Sequence, residues 1–187
     1  PVVCSITDGK RLFQVSGGGG GTYALLAGDT LLYGPGKTGE MGVYGDGGAD
    51  QLATFDGNHM IVTADLSYLH TDTTLQALDR TRYLELAAKR KAKAGEKTDA
   101  EGELKALPEE APAEERRPLR TQIAALAADM DALSAEMRDC YRWQVDCDYP
   151  LSLMATASAV IAGGEAGIAA YATDSGEELW TGKVDGL

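Results

Sequence analysis

One pattern constrains this chain more than any other. Short apolar runs are cut by glycine turns, and an aromatic residue stands a few positions after a tight turn. It is clearest in the tail from Val160 to Leu187, VIAGGEAGIAAYATDSGEELWTGKVDGL. One apolar run closes on Gly163-Gly164, and a second covers Ile168 to Tyr171. A polar turn follows at Asp174-Ser175-Gly176, and a last strand opens with Leu179-Trp180. Runs of this length between glycine turns are too short for helices and read as antiparallel strands.

The pattern recurs upstream. Asp8-Gly9-Lys10-Arg11-Leu12-Phe13 lies over Ser175-Gly176-Glu177-Glu178-Leu179-Trp180, with Phe13 in place of the tryptophan. In both, the glycine supplies the positive φ that a tight turn demands. Tyr23–Leu26 and Thr30–Tyr33 form a strand pair about a turn at Gly28-Asp29. Met41–Tyr44, a glycine turn and Gln51–Phe55 make a second, degenerate echo. Asp56-Gly57-Asn58 reads as a further hairpin turn, and Met60–Ala64, Ser67–Leu69 and Thr74–Asp79 as strands. Cys140–Asp146 resumes the pattern with Trp143, parallel to Leu179–Asp185 with Trp180.

Between Asp79 and Cys140 the period changes. Arg80 to Ala94 is helical in pattern, and Gly95 to Ala113, rich in Glu, Lys, Ala and Pro, reads as an exposed connector. From Pro118, placed in the first turn of a second helix, Leu119, Ile123, Leu126, Met130, Leu133 and Met137 form a heptad seam running to about Asp139. The two helices suggest an antiparallel hairpin whose seam either packs on its own partner helix or docks another protein. Matching Ala77 with Ala170 and Trp143 with Trp180 sets 66 residues against 10, so the hairpin is an insertion of about 56 residues into one turn. Trp143 to Trp180 is 37 residues, and Phe13 to Trp143 is two such periods once the insertion is removed, with Phe55 between them. A period near 37 lies in the range of propeller blades. The expected organisation is residues 1–79 in blades, 80–139 in the hairpin and 140–187 in blades again.

In these features the chain resembles the pyrroloquinoline-quinone-type repeat family, the quinoprotein-like β-propellers. Blades of that family end in an alanine-apolar-aspartate strand, a threonine-glycine turn and a leucine-tryptophan strand start. Ala170-Tyr171-Ala172 with Ser175-Gly176-Glu177-Glu178-Leu179-Trp180 matches, as do Asp8 to Phe13 and Ala77-Leu78-Asp79 with Trp143. Ala172 stands where the family has aspartate, and Phe13 and Phe55 stand where it has tryptophan. The resemblance implies a mainly β fold: a partial β-propeller of about three to four blades with an inserted antiparallel α-helical hairpin. Phe13, Trp143 and Trp180 would be blade-packing residues. It also implies pairing with the remainder of a propeller, whether from the same precursor, another subunit or self-association, and a periplasmic or cell-envelope setting. Dehydrogenases of the family carry adjacent cysteines, calcium ligands and a catalytic aspartate. With no Cys-Cys pair here, no catalytic or cofactor-binding residue is carried over.

The remaining features narrow the function. A chain of 187 residues can bury a sizeable core, and a net charge of −12 argues against nucleic acid or an anionic membrane surface as partner. No apolar run reaches the ~18 residues of a membrane span, and the first residues carry no secretory leader pattern. The start at Pro1 reads as a processed or trimmed piece. Cys4, Cys140 and Cys147 fit no zinc, redox or haem spacing. The run Gly17 to Gly21 lacks the last glycine of a dinucleotide fingerprint, and Gly34-Pro35-Gly36-Lys37-Thr38 lacks the first glycine of a P-loop. Asp46 and Asp50 are weak calcium candidates without the spacing of a calcium loop. His59 and His70 read as structural, and no serine sits in a nucleophile elbow. The expectation is a non-catalytic scaffold or protein-interaction module with the hairpin as docking element and no cofactor. Two alternatives stand beside it: a segment of a quinone-cofactor dehydrogenase using pyrroloquinoline quinone and calcium, and a sugar- or small-ligand-binding propeller with its site on the central axis.

Overall fold

The apolar runs pair with their chain neighbours, strand by strand, into separate antiparallel sheets. The computed structural model describes residues 2–15, 23–28, 30–34, 39–45, 51–165 and 167–184. β1 (Val2–Cys4) and β2 (Arg11–Gln14) make a two-stranded sheet. β3 (Tyr23–Ala27), β4 (Thr30–Gly34), β5 (Glu40–Tyr44) and β6 (Gln51–Asp56) follow as a four-stranded meander. The third sheet is β7 (His59–Val62), β8 (Ser67–His70), β9 (Thr74–Leu78) and β10 (Tyr141–Asp146), with the helices α1 (Arg80–Ala106) and α2 (Ala113–Arg138) between its last two strands. The fourth is β11 (Ser152–Ala155), β12 (Ala159–Gly163), β13 (Gly167–Ala172) and β14 (Glu178–Lys183). Among the described residues the fold is mainly β, with four antiparallel sheets and two helices. No sheet closes on itself among the described residues.

The last pair of strands in every sheet carries a register shift at the same place. Val3 faces Phe13, Val43 faces Ala53, Ala77 faces Trp143 and Ala170 faces Trp180, and the register slips by one residue at the next pair. A bulge of this kind bends and twists the outer strand. The shared register makes Phe13, Ala53, Trp143 and Trp180 equivalent. Phe55, expected as the aromatic of the second unit, instead faces Met41 two residues further on and is fully buried.

Equivalent positions in the third and fourth sheets also date the insertion. Thr63 and Thr156 open the same kind of turn, each N–H donating to the carbonyl three residues on at 2.8 Å. From Thr63 to Thr156, as from Ala77 to Ala170, the offset is 93 residues, whereas from Trp143 to Trp180 it is 37. The pairing of β9 with β10 is thus the pairing of β13 with β14, with the helices spliced into the connecting turn.

Other expectations need correction. Asp56-Gly57-Asn58 is not a hairpin turn. It carries the chain from the second sheet to the third, with the Gly57 N–H donating to the Gly39 carbonyl and the Asn58 N–H to the His70 carbonyl. β11 was not anticipated from its short and weakly apolar Ser152–Ala155. The connector is far shorter than Gly95–Ala113, because α1 runs on to Ala106. Gly95 and Gly102 each cost about 1 kcal/mol relative to alanine in a helix interior. The Lys93–Glu96 and Lys97–Glu101 pairs and buried Ala100 carry the helix through them. α2 starts five residues before Pro118, with Glu114 and Glu115 in its first turn, so Pro118 lies inside the helix and not at its start.

The chain divides into two compact units, Thr81–Cys140 and the remainder. Within the helical unit, α1 and α2 lie antiparallel. Arg90 Nε donates to Ser134 Oγ at 2.8 Å, and Lys93–Asp129 and Arg82–Glu136 link the helices at 3.8 and 4.0 Å. Arg116 donates to the carbonyls of Pro108 and Glu109 and ties down the turn. No helix is long and apolar enough to cross a membrane among the described residues. Within the sheet unit, the third and fourth sheets stack through Tyr68, Leu75, Ala77, Trp143 and Cys147 on one side and Val160, Ala162, Ala169 and Tyr171 on the other.

Candidate functional site

The most built feature of the sheet unit is the seat of Trp143. Its position on β10, just after the bulge, aims the indole at the turn between β13 and β14. There Nε1 donates to the Thr173 carbonyl at 3.1 Å. The ring lies against Gly176, which has φ +73°; a Cβ there would come within 2.6 Å of an indole carbon. Tyr68 completes the seat, its ring centroid 6.0 Å from that of Trp143 and its hydroxyl donating to the same Thr173 carbonyl at 3.5 Å. Two donors from one sheet thus converge on one carbonyl of the next.

Beside this seat opens a cleft of about 310 Å³ lined by Thr63, Asp65 and Tyr68 from one sheet and Thr156, Thr173 and Asp174 from the other. Burial pushes the Tyr68 phenol above its ordinary range; the Thr173 bond works against this, and the charges of Asp174 and Asp65 add to it. Tyr68 therefore stays a hydrogen-bond donor. Both threonine turns spend their hydroxyls internally, Thr63 Oγ1 donating to Leu66 O and Thr156 Oγ1 to Ala159 O. Two exposed carboxylates, one phenol and a backbone carbonyl can hold a small polyhydroxylated or cationic molecule. The signal that could have located this place is the recurrence of Thr-Ala at 63–64 and 156–157, which sequence reasoning passed over.

His59 and His70 face each other across β7 and β8, ring centroids 6.0 Å apart. His70 is fully buried, and neither of its ring nitrogens makes a hydrogen bond among the described residues. Burial lowers its pKa from 6.5, His59 lowers it further, and the Tyr149 backbone and Asp72 work in the opposite sense. Cys147, buried and free, contacts Tyr171, whose phenol is pushed up by burial and then by Cys147. No group of three or more His, Cys, Asp or Glu placed to hold a metal ion occurs among the described residues.

The residues singled out from sequence fall in three places. Trp143 is 9% exposed in its seat, Trp180 is 45% exposed on the outer face of the fourth sheet, and Phe13 is half-buried on β2. On α2, Leu126 is buried and Leu119, Ile123, Met130, Leu133 and Met137 are half-buried. Asp46 and Asp50, and the glycine run Gly17 to Gly21, lie outside the described residues. Cys140 and Cys147, both buried, flank β10 at its two ends. No family model matches the chain, and no curated protein matches it.

Proposed function

We propose that the sheets are successive blades of a partial, quinoprotein-like β-propeller, and that the chain is a non-catalytic scaffold presenting the helical hairpin to a protein partner. The observation that carries this reading is the register: β9 and β10 pair as β13 and β14 do, with or without the helices between them. An appendage spliced into a turn without disturbing its strands suits display better than core packing. The partner meets the exposed side chains of the two helices. Charged side chains of both signs cover the helices, so a contact made through them weakens as salt rises. The test replaces residues 80–139 by the turn Thr173–Gly176 and compares proteins retained by the two chains at low and high salt. The expected result is a partner held by the full chain, released by salt and missing from the shortened one; an unchanged set of partners would remove the hairpin from the function.

A further inference from the structure

Three buried histidine nitrogens of the sheet unit have no hydrogen-bond partner among the described residues: Nδ1 and Nε2 of His70, and Nδ1 of His59. Buried polar atoms are nearly always paired, so an orphan of this kind points to a ligand, an ion or a water. The three belong to one cross-strand pair. His59 on β7 faces His70 on β8, which puts both side chains on one face of the third sheet. Their ring centroids are 6.0 Å apart and the ring planes are inclined by 35°. His70 is fully buried, so whatever meets its nitrogens is small and lies inside the sheet unit.

A water and a metal ion are both small enough, and the ring spacing separates them. With the rings opposed nitrogen to nitrogen, 6.0 Å between centroids leaves about 4 Å between the facing nitrogens, twice the metal–imidazole bond of about 2 Å. A water donating to both nitrogens at ordinary hydrogen-bond lengths would hold them about 4.5 Å or more apart. The donor count then selects the metal. Zinc in a structural site takes four ligands, and no group of three His, Cys, Asp or Glu is placed to hold an ion among the described residues. Monovalent copper is satisfied by two imidazoles in a near-linear arrangement, and imidazole is a ligand that copper accepts.

We propose that His59 and His70 bind one cuprous ion, held two-coordinate between β7 and β8. The surroundings suit it. The Tyr149 backbone favours a proton on the His70 ring, and a proton held on one nitrogen leaves the other its lone pair. Asp72 offsets the charge of the ion: its carboxylate accepts a bond from Asn58 Nδ2 at 2.6 Å and acts on His70 through its charge. The site lies within one strand pair, so it does not depend on how the sheets follow one another. Two histidines that the sequence presents as structural become ligands.

Titration of the metal-free full chain with cuprous ion, in ascorbate without oxygen and against a chromogenic cuprous chelator, tests it. Cys4 is exposed and would compete as a thiolate, so it is alkylated first. The expected result is one equivalent of copper taken from the chelator by the wild type, and uptake at least a hundredfold weaker in His59→Leu. His59 is only half-buried, so this change disturbs the fold less than one at His70. X-ray absorption of the loaded wild type needs no variant. It should show two-coordinate cuprous copper with two nitrogen neighbours and no sulfur. Sulfur neighbours would hand the ion to Cys140 or Cys147 and overturn the proposal. No uptake, or uptake that His59→Leu leaves unchanged, overturns it as well and leaves a water as the occupant of the pair. Zinc held as tightly as copper would overturn the two-coordinate site.

Discussion

Gly9 and Gly176 share a backbone conformation and differ in what surrounds them, so the same substitution separates two costs. At Gly9 an alanine meets only the left-handed backbone penalty, about 1–2 kcal/mol. At Gly176 it also drives a methyl into the Trp143 ring, and overpacking of that kind adds about 1–3 kcal/mol. Urea unfolding of the two variants at dilute protein should rank Gly176→Ala as the more destabilised; equal losses would mean that Trp143 does not press on Gly176. His70 supplies a pH dependence. Its folded pKa lies below the unfolded 6.5, so the folded chain resists a proton that the unfolded chain accepts. The stabilisation is therefore present above about pH 6.5 and declines as pH falls toward the folded pKa. Midpoints measured between pH 8 and pH 5 should fall at the acid end for the wild type and fall less for His70→Leu; identical slopes would exclude His70 as the source.

At the scale of elements, legibility followed the strength of the local signal. The strands bordered by glycine turns and carrying consecutive apolar residues, such as Met41–Tyr44 and Ile168–Tyr171, were readable because turn chemistry and burial agree there. β11 was not, since Ser152–Ala155 owes its strand state to pairing with β12 and to the sheet beside it, a tertiary cause. Phe55 misled for a related reason: composition marks an aromatic, but only the bulge shows that Ala53 holds the position of Trp143. The helix ends were misplaced because glycine and proline were given the weight they carry in isolated helices, whereas ion pairs and partner packing outvote them here. Pro118 keeps part of its penalty, having no N–H for the carbonyl one turn back. Pro118→Ala should therefore stabilise the helical unit by about 1–3 kcal/mol, seen as a higher melting midpoint in helix ellipticity. A lower midpoint would mean that the ring is needed at the start of the seam.

For the whole molecule, the spacing of the short motifs anticipated the mainly β architecture and the place of the helices, because spacing is recorded directly in a sequence. The cleft between the threonine turns and the seat of Trp143 depend on which faces meet, and alternation along one strand does not reveal its opposite sheet. The central claim is that the hairpin is spliced into a repeating sheet that does not need it. Hydrogen exchange on a chain with residues 80–139 replaced by the turn Thr173–Gly176 tests that most directly. The account predicts that amides of β8, β9, β12 and β13 keep their slow exchange and that Trp143 stays shielded in its seat. Rapid exchange across β9 and β10 in the shortened chain, with Trp143 open to solvent, would contradict it.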